Sequence, residues 1–244
     1  MTLTSLISRF ALVLALVFSF NSAALAGDRA LLNAIGYSED GRYFAFEEFG
    51  VQDGSGFAYS NIYLIDLAED KWVEGSPYRV RSEEEMTPLH VIRAQAASEA
   101  FADLEAYGIV TPADMIAFQA EGEPEIDQTS IEFNVPGFMG PAPRDDMYEI
   151  ALEIFKAPST EPCVDYMGQE PMGFAVNLTD LQGNTDRVYE DGHIPKSRGC
   201  PITYRPTAVF MPFQSYNLDH AVLLVSVWAH GFEGPDRRFI VVPL

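Results

Sequence analysis

The chain reads as a β-rich α+β protein built from mixed or antiparallel sheets, with one β-hairpin near its start and a helical insertion in its middle. Three observations predict this class. Residues 37–67 carry aromatics at nearly every other position around turn sequences, and residues 87–121 switch to helical spacing. Short apolar runs punctuated by Pro and Gly fill the remainder. At 48% hydrophobic and 21% charged residues, the composition is that of a globular chain.

The first 26 residues stand apart from that fold. Residues 1–10 hold one basic residue, Arg9, and no acid; residues 11–20, ALVLALVFSF, are apolar; Ala24-Leu25-Ala26 is a small-x-small exit. That order predicts a secretory signal peptide cleaved after Ala26. The apolar run is too short to cross a bilayer, which takes about 20 residues. Residues 27–244 then form a single secreted domain. Its longest apolar run, AVLLVSVWA at 221–229, has the length of a strand, so no membrane span is expected after cleavage.

Export places Cys163 and Cys200 in an oxidising compartment, where an even count favours a disulfide. Closing a loop of this length is worth about 4 kcal/mol in the loop-closure account. Two free buried thiols or a redox pair are the rival readings, and no C-x-x-C supports the second. The formal net charge of −21 becomes −22 once Arg9 leaves. Such an acidic surface repels nucleic acid and anionic membrane. It suits cationic partners, a divalent metal or plain solvation.

Glu39-Asp40-Gly41-Arg42 is a turn sequence that puts positive φ on glycine. Beyond it Phe44 and Phe46 fall on one face of a strand, with Tyr43, Ala45 and Glu47 on the other. After the Gly-rich stretch 50–56, Ile62 and Leu64 share one face, and Tyr63 and Ile65 the other. Apolar residues on both faces predict a sheet covered on both sides. "YSEDGRYFAF…NIYLIDL" resembles a single blade hairpin of TolB-like propellers. No second copy follows: Tyr189-Glu190-Asp191-Gly192 has the turn, but His193-Ile194-Pro195-Lys196 does not continue as a strand. One hairpin does not make a propeller.

Thr87 as N-cap, Pro88 at the first helical position and Gly108 as stop predict a helix, with Leu89, Ile92, Ala96, Ala100, Phe101, Leu104 and Tyr107 near helical spacing. The same logic at Thr111-Pro112 predicts a second short helix over 112–121, stopped by Gly122. Strands are expected at 130–135, 147–156, 173–178, 208–212, 221–229 and 239–242, the run 221–229 being a central one buried on both faces. Glu233-Gly234-Pro235-Asp236 reads as the last turn. Its flanking Arg237 and Arg238 suit either an exposed recognition loop or an internal salt bridge pinning the hairpin, and the second reading is preferred.

The order of leader, "GYSEDGRYFAFEEFG", central helix, Gly199-Cys200 with Tyr204, and the ending "GFEGPDRRFIVV" resembles a family of predicted secreted bacterial proteins of unknown function. The resemblance implies a bacterial exported protein, here periplasmic in a Gram-negative cell, and implies no chemistry.

Residue types that carry chemistry form no recognisable constellation, so no catalytic, cofactor or metal residue is assigned. His90, His193, His220 and His230 make no close metal pair, and 220 and 230 would lie roughly 30 Å apart along one strand. Gly54-Ser55-Gly56 lacks the spacing of a nucleophile elbow. In Asp219-His220, neighbours in a strand would point to opposite faces. Calcium is the one cofactor with any footing, through Asp180, Asn184 and Asp186 or Asp53, yet none follows EF-hand spacing. The expectation is a non-catalytic module binding an envelope protein or small ligand. The alternative is an envelope hydrolase, marked by paired carboxylates in a pocket or a Ser near His193 or His220.

Overall fold

The alternation in residues 43–66 decides the first sheet. In the computed structural model, which describes residues 27–121, 128–137, 147–231 and 234–244, β1 (Leu31–Ser38), β2 (Tyr43–Val51) and β3 (Ala58–Asp66) form an antiparallel meander. The expected signal peptide, Gly122 and Glu233 lie outside the described residues. Short strands β4 (Lys71–Trp72) and β5 (Tyr78–Arg81) add to β3, and β6 (Ile109–Thr111) adds to β1. At the first turn Gly41 takes φ 73°; Ser38 Oγ donates to Asp40 (2.6 Å) and accepts from Tyr43 N–H (2.9 Å). Phe44–Ile65 and Phe46–Tyr63 pair on one face, Ala45–Leu64 and Glu47–Ile62 on the other, as the alternation predicts.

Helix α1 (Leu89–Ala106) covers one of those faces. Ile92, Ala96 and Ala100, four apart, lie against Ala58, Ile62 and Val80. Phe101, an expected member of that stripe, is 58% exposed. Gly108 ends the helix with φ 65°. The start differs by one residue: Pro88 is the extended flanking residue, and the Thr87 hydroxyl donates to Glu84 O (3.0 Å) instead of capping. Pro88 itself takes the extended backbone of the cap position (φ −61°, ψ 128°), which leaves Thr87 one residue outside the helix.

The other face meets a central sheet of β12 (Pro201–Pro212), β13 (Val222–His230), β14 (Pro235–Pro243) and β7 (Ala113–Phe118), in the order β14-β13-β12-β7. Here the expected second helix is corrected, since 113–118 is a strand hydrogen-bonded along β12 from Ala208–Phe118 to Pro212–Ala113. Local start signals at Thr111-Pro112 lose to the unpaired edge of β12, whose ladder a strand completes and a helix cannot. Pro112 is instead the step by which the chain leaves the first sheet and enters the central one.

A third sheet, β11-β10-β9-β8, consists of β8 (Ser130–Phe133), β9 (Tyr148–Lys156), β10 (Met172–Thr179) and β11 (Thr185–Glu190). Sequence reading leaves β11 out, because TDRVYE is polar and largely exposed and so lacks alternation. The β13 run is central as expected. Val222 and Leu224 pack with Phe44, Phe46 and Phe210 towards the first sheet, while Leu223, Val225 and Val227 pack with Ile150, Phe174 and Val176 of the third. Each such side chain, fully buried, is worth about 1.5–3 kcal/mol. The result is four layers, helix on sheet on sheet on sheet, and the class is β-rich α+β with antiparallel sheets.

Candidate functional site

Stacked sheets twist, so their faces diverge towards their ends. Beside β14, an edge strand of the central sheet, such a divergence leaves a cleft of about 670 Å³. One side is the inner face of the first sheet: Phe46 and Glu48 on β2, Asn61, Tyr63 and Ile65 on β3, then Asp70, Lys71, Trp72 and Arg79. Facing it are β14 from Arg238 to Val242 and, on β13, Val227 and Ala229. Tyr189 at the end of β11, Pro195, and Ser197 and Arg198 in a 3₁₀ turn (Lys196–Arg198) complete the lining.

The strand period puts Glu48 in this lining and buries it to 1% exposure. Its Oε1 accepts the Tyr63 hydroxyl (2.8 Å) and the Asn61 amide (3.0 Å), and its Oε2 accepts Phe239 N–H (3.1 Å). A carboxylate out of water is tolerable only with such donors. Burial, with the Glu48 carboxylate adding to it, pushes the Tyr63 hydroxyl well above its ordinary pKa, so Tyr63 stays a donor. Phe46 stacks on Tyr63 (4.8 Å between centroids, 8°), and Tyr63 lies 5.7 Å from Trp72, giving an aromatic wall.

The basic residues are held in different ways. Arg198 donates to Asp191 (2.6 Å) and to the Tyr189 hydroxyl (3.1 Å). Burial opposes the guanidinium charge, but Tyr204, Tyr189 and Asp191 around it outweigh that and raise its pKa. Burial and the Asp191 carboxylate push the Tyr189 hydroxyl up to about 12. The disulfide between Cys163 and Cys200 (S–S 2.07 Å) ties the segment just after Arg198 to a short helix α2 (Cys163–Met167). Arg238 donates to the buried Asp28 carboxylate, which also accepts the Tyr59 hydroxyl (2.8 Å). Arg79 lies over the Trp72 ring (5.5 Å) and forms no ion pair among the described residues. Lys71 pairs with exposed Glu69 (3.0 Å).

Several residues singled out in the sequence lie elsewhere. Arg237 and Arg238 do form internal salt bridges, with Glu121 (2.7 Å) and Asp28. They pin residues 28–30 along β14. None of the four histidines lines the cleft. Asp219-His220 sits in the loop before β13, not in a strand; Asp219 accepts from Asn217 (2.7 Å), and the His220 ring packs against Gly41. Asp180 accepts the N–H groups of Gln182 and Asn184 (2.9 and 2.8 Å) and the Asn184 amide (2.9 Å), which makes it a hairpin-turn residue. Asp53 is exposed in the loop between β2 and β3. Among the described residues no group of three or more His, Cys, Asp or Glu is placed to hold a metal ion.

A family model described as predicted secreted protein (DUF2259) matches residues 45–244. The chain belongs to this family. The matched span of this DUF2259 chain contains every residue of the cleft lining. No curated protein matches it. No described helix is long and apolar enough to cross a membrane.

Sequence reasoning missed Lys71, Trp72, Arg79, Tyr189 and Arg198 as site residues, since eight separate stretches of chain deliver the lining. The available clue was Glu47-Glu48 inside an otherwise apolar strand. Two consecutive carboxylates put one on each face of a sheet read as covered on both sides, so each needed donors.

Proposed function

We propose that the protein is an exported, periplasmic binding module without catalytic activity, trimmed after Ala26 and formed by residues 27–244, whose ligand carries negative charge and enters this cleft. One observation carries the reading. On a chain of net charge −21, Lys71, Arg79, Arg198 and Arg238 converge on one aromatic-walled cleft that holds only Glu48 and Asp70 as acids. Lys71, Arg198 and Arg238 are already paired with Glu69, Asp191 and Asp28, so the attraction that a concave site focuses on an anion falls to Arg79. Arg79, without a carboxylate partner among the described residues, is the guanidinium left to pair with the ligand.

Thermal melting of residues 27–244 under oxidising conditions tests this. The panel pairs acidic probes (acidic peptidoglycan fragments, uronic acids, acidic peptides) with neutral and cationic counterparts. Acidic probes should raise Tm with concentration, since binding to the native state stabilises it by mass action. Arg79→Ala should abolish the rise. A flat response, or equal shifts from neutral probes that ignore Arg79→Ala, overturns the proposal.

A further inference from the structure

The cleft is bordered by a strand edge. In an antiparallel pair, alternate residues turn N–H and C=O towards the partner and away from it. In β14 the odd-numbered residues turn away from β13. Arg237 N–H donates to Asp28 O (2.8 Å), Ala30 N–H donates to Arg237 O (3.2 Å), and Phe239 N–H goes to Glu48. Pairing with β13 runs without a register shift to Pro243, so Val241 turns away as well. No described residue bonds the Val241 N–H or C=O, or the Phe239 C=O, on that side. Three backbone groups at ladder spacing therefore face the cleft.

Unpaired edges are liabilities that proteins ordinarily cover. Here residues 28–30 and Glu48 cover the first part of the β14 edge, and no described residue covers the part at Val241, which borders the cleft. That cleft, of about 670 Å³, has Phe46, Tyr63 and Trp72 on one side and Tyr189 and Arg198 on the other.

We infer that the ligand is an extended acidic peptide segment of a partner protein, added to β14 as a strand at Phe239 and Val241. The inference rests on the cleft-binding reading above and names its ligand class. Backbone bonds to Val241 supply affinity whatever the sequence, and alternate side chains supply selectivity. One set of side chains would lie along Phe46, Tyr63 and Trp72, the other along Tyr189 and Arg198. Arg79 and Lys71 at the rim select acidic residues.

The test begins with random-sequence hexapeptides selected on immobilised residues 27–244. Acidic, alternating sequences should be enriched, and the best peptide should protect the Val241 amide from hydrogen exchange. N-methylation of alternate peptide residues should weaken binding by at least about tenfold, while methylation of the intervening ones leaves it unchanged. Val241→Pro removes the outward N–H while sparing the β13 ladder, as edge strands permit, and should cost a similar factor. Val241→Thr, which keeps the N–H, should not. Peptides that bind Val241→Pro fully and ignore N-methylation overturn strand addition. Acidic sugars that bind through Arg79 while no peptide does overturn it too, yet preserve the cleft reading. Failure of every anionic probe to bind in an Arg79-dependent way overturns both.

Discussion

Glu47 and Glu48 are adjacent on β2, both buried, and face opposite sides of the first sheet. On the helix side, Arg93 of α1 donates to Glu47 through Nε (2.8 Å) and Nη2 (2.7 Å), with Ser60 adding a third bond (2.8 Å). On the cleft side, Glu48 is met by three neutral donors and by no ion pair among the described residues. The same side chain is thus made tolerable in two ways. Pairing with a guanidinium cancels the charge and clamps a helix to a sheet. Neutral donors leave the charge in place and order the groups around it, including the edge of β14. The first arrangement builds a closed interface and the second furnishes an open one.

Breaking the clamp should have the largest effect. Arg93→Ala leaves a buried carboxylate without its partner, at a cost of about 3 kcal/mol, read as a lowered midpoint in urea. Its pH dependence sharpens the comparison. Burial alone would raise the Glu47 carboxyl, but hydrogen bonds from Arg93 and Ser60 and the Arg93 charge hold it below the ordinary range. A depressed folded-state pKa contributes stability above the unfolded value of about 4.3, and that stability is lost as pH falls through the folded value. The gap between wild type and Arg93→Ala should therefore be widest near neutrality and close in acid. A gap independent of pH between neutrality and acid would show that Glu47 is not the clamped group.

Glu48→Gln should cost less, about 2 kcal/mol. One amide oxygen cannot accept from Tyr63, Asn61 and Phe239 together, so one buried donor loses its partner. Faster hydrogen exchange at the Phe239 amide would identify which; unchanged exchange there would contradict the assigned bond. Arg79→Ala should be nearly silent in stability, within about 0.5 kcal/mol, because Arg79 is exposed and forms no ion pair among the described residues. A large loss in its urea midpoint would make it a structural residue and remove it from the ligand reading.

Local pattern carried much of the first sheet. Alternation at Tyr43–Phe49 and Asn61–Leu67 assigns faces correctly because strand geometry has a period of two and both faces are buried. The β13 run is legible for the same reason. Residues 113–118 are not, because their conformation is set by β12, some ninety positions away in sequence and absent from any local window. The cleft was hidden for a further reason. Arg79, Arg198 and Arg238 look like ordinary surface charges until packing places them together, and the partners of Arg237 and Arg238 lie in residues 28–121.

The pinning of residues 28–30 along β14 has a kinetic side. The bond from Asp28 N–H to Asp236 joins groups 208 positions apart. The strand bordering the cleft and the segment that covers its first part therefore stand far apart along the chain. Contacts so distant must overcome loop-closure entropy before they return any stabilisation, and they form slowly. The topology itself postpones completion: no fragment lacking β14 can assemble the cleft, which arises only once residues 28–30 and β14 have come together.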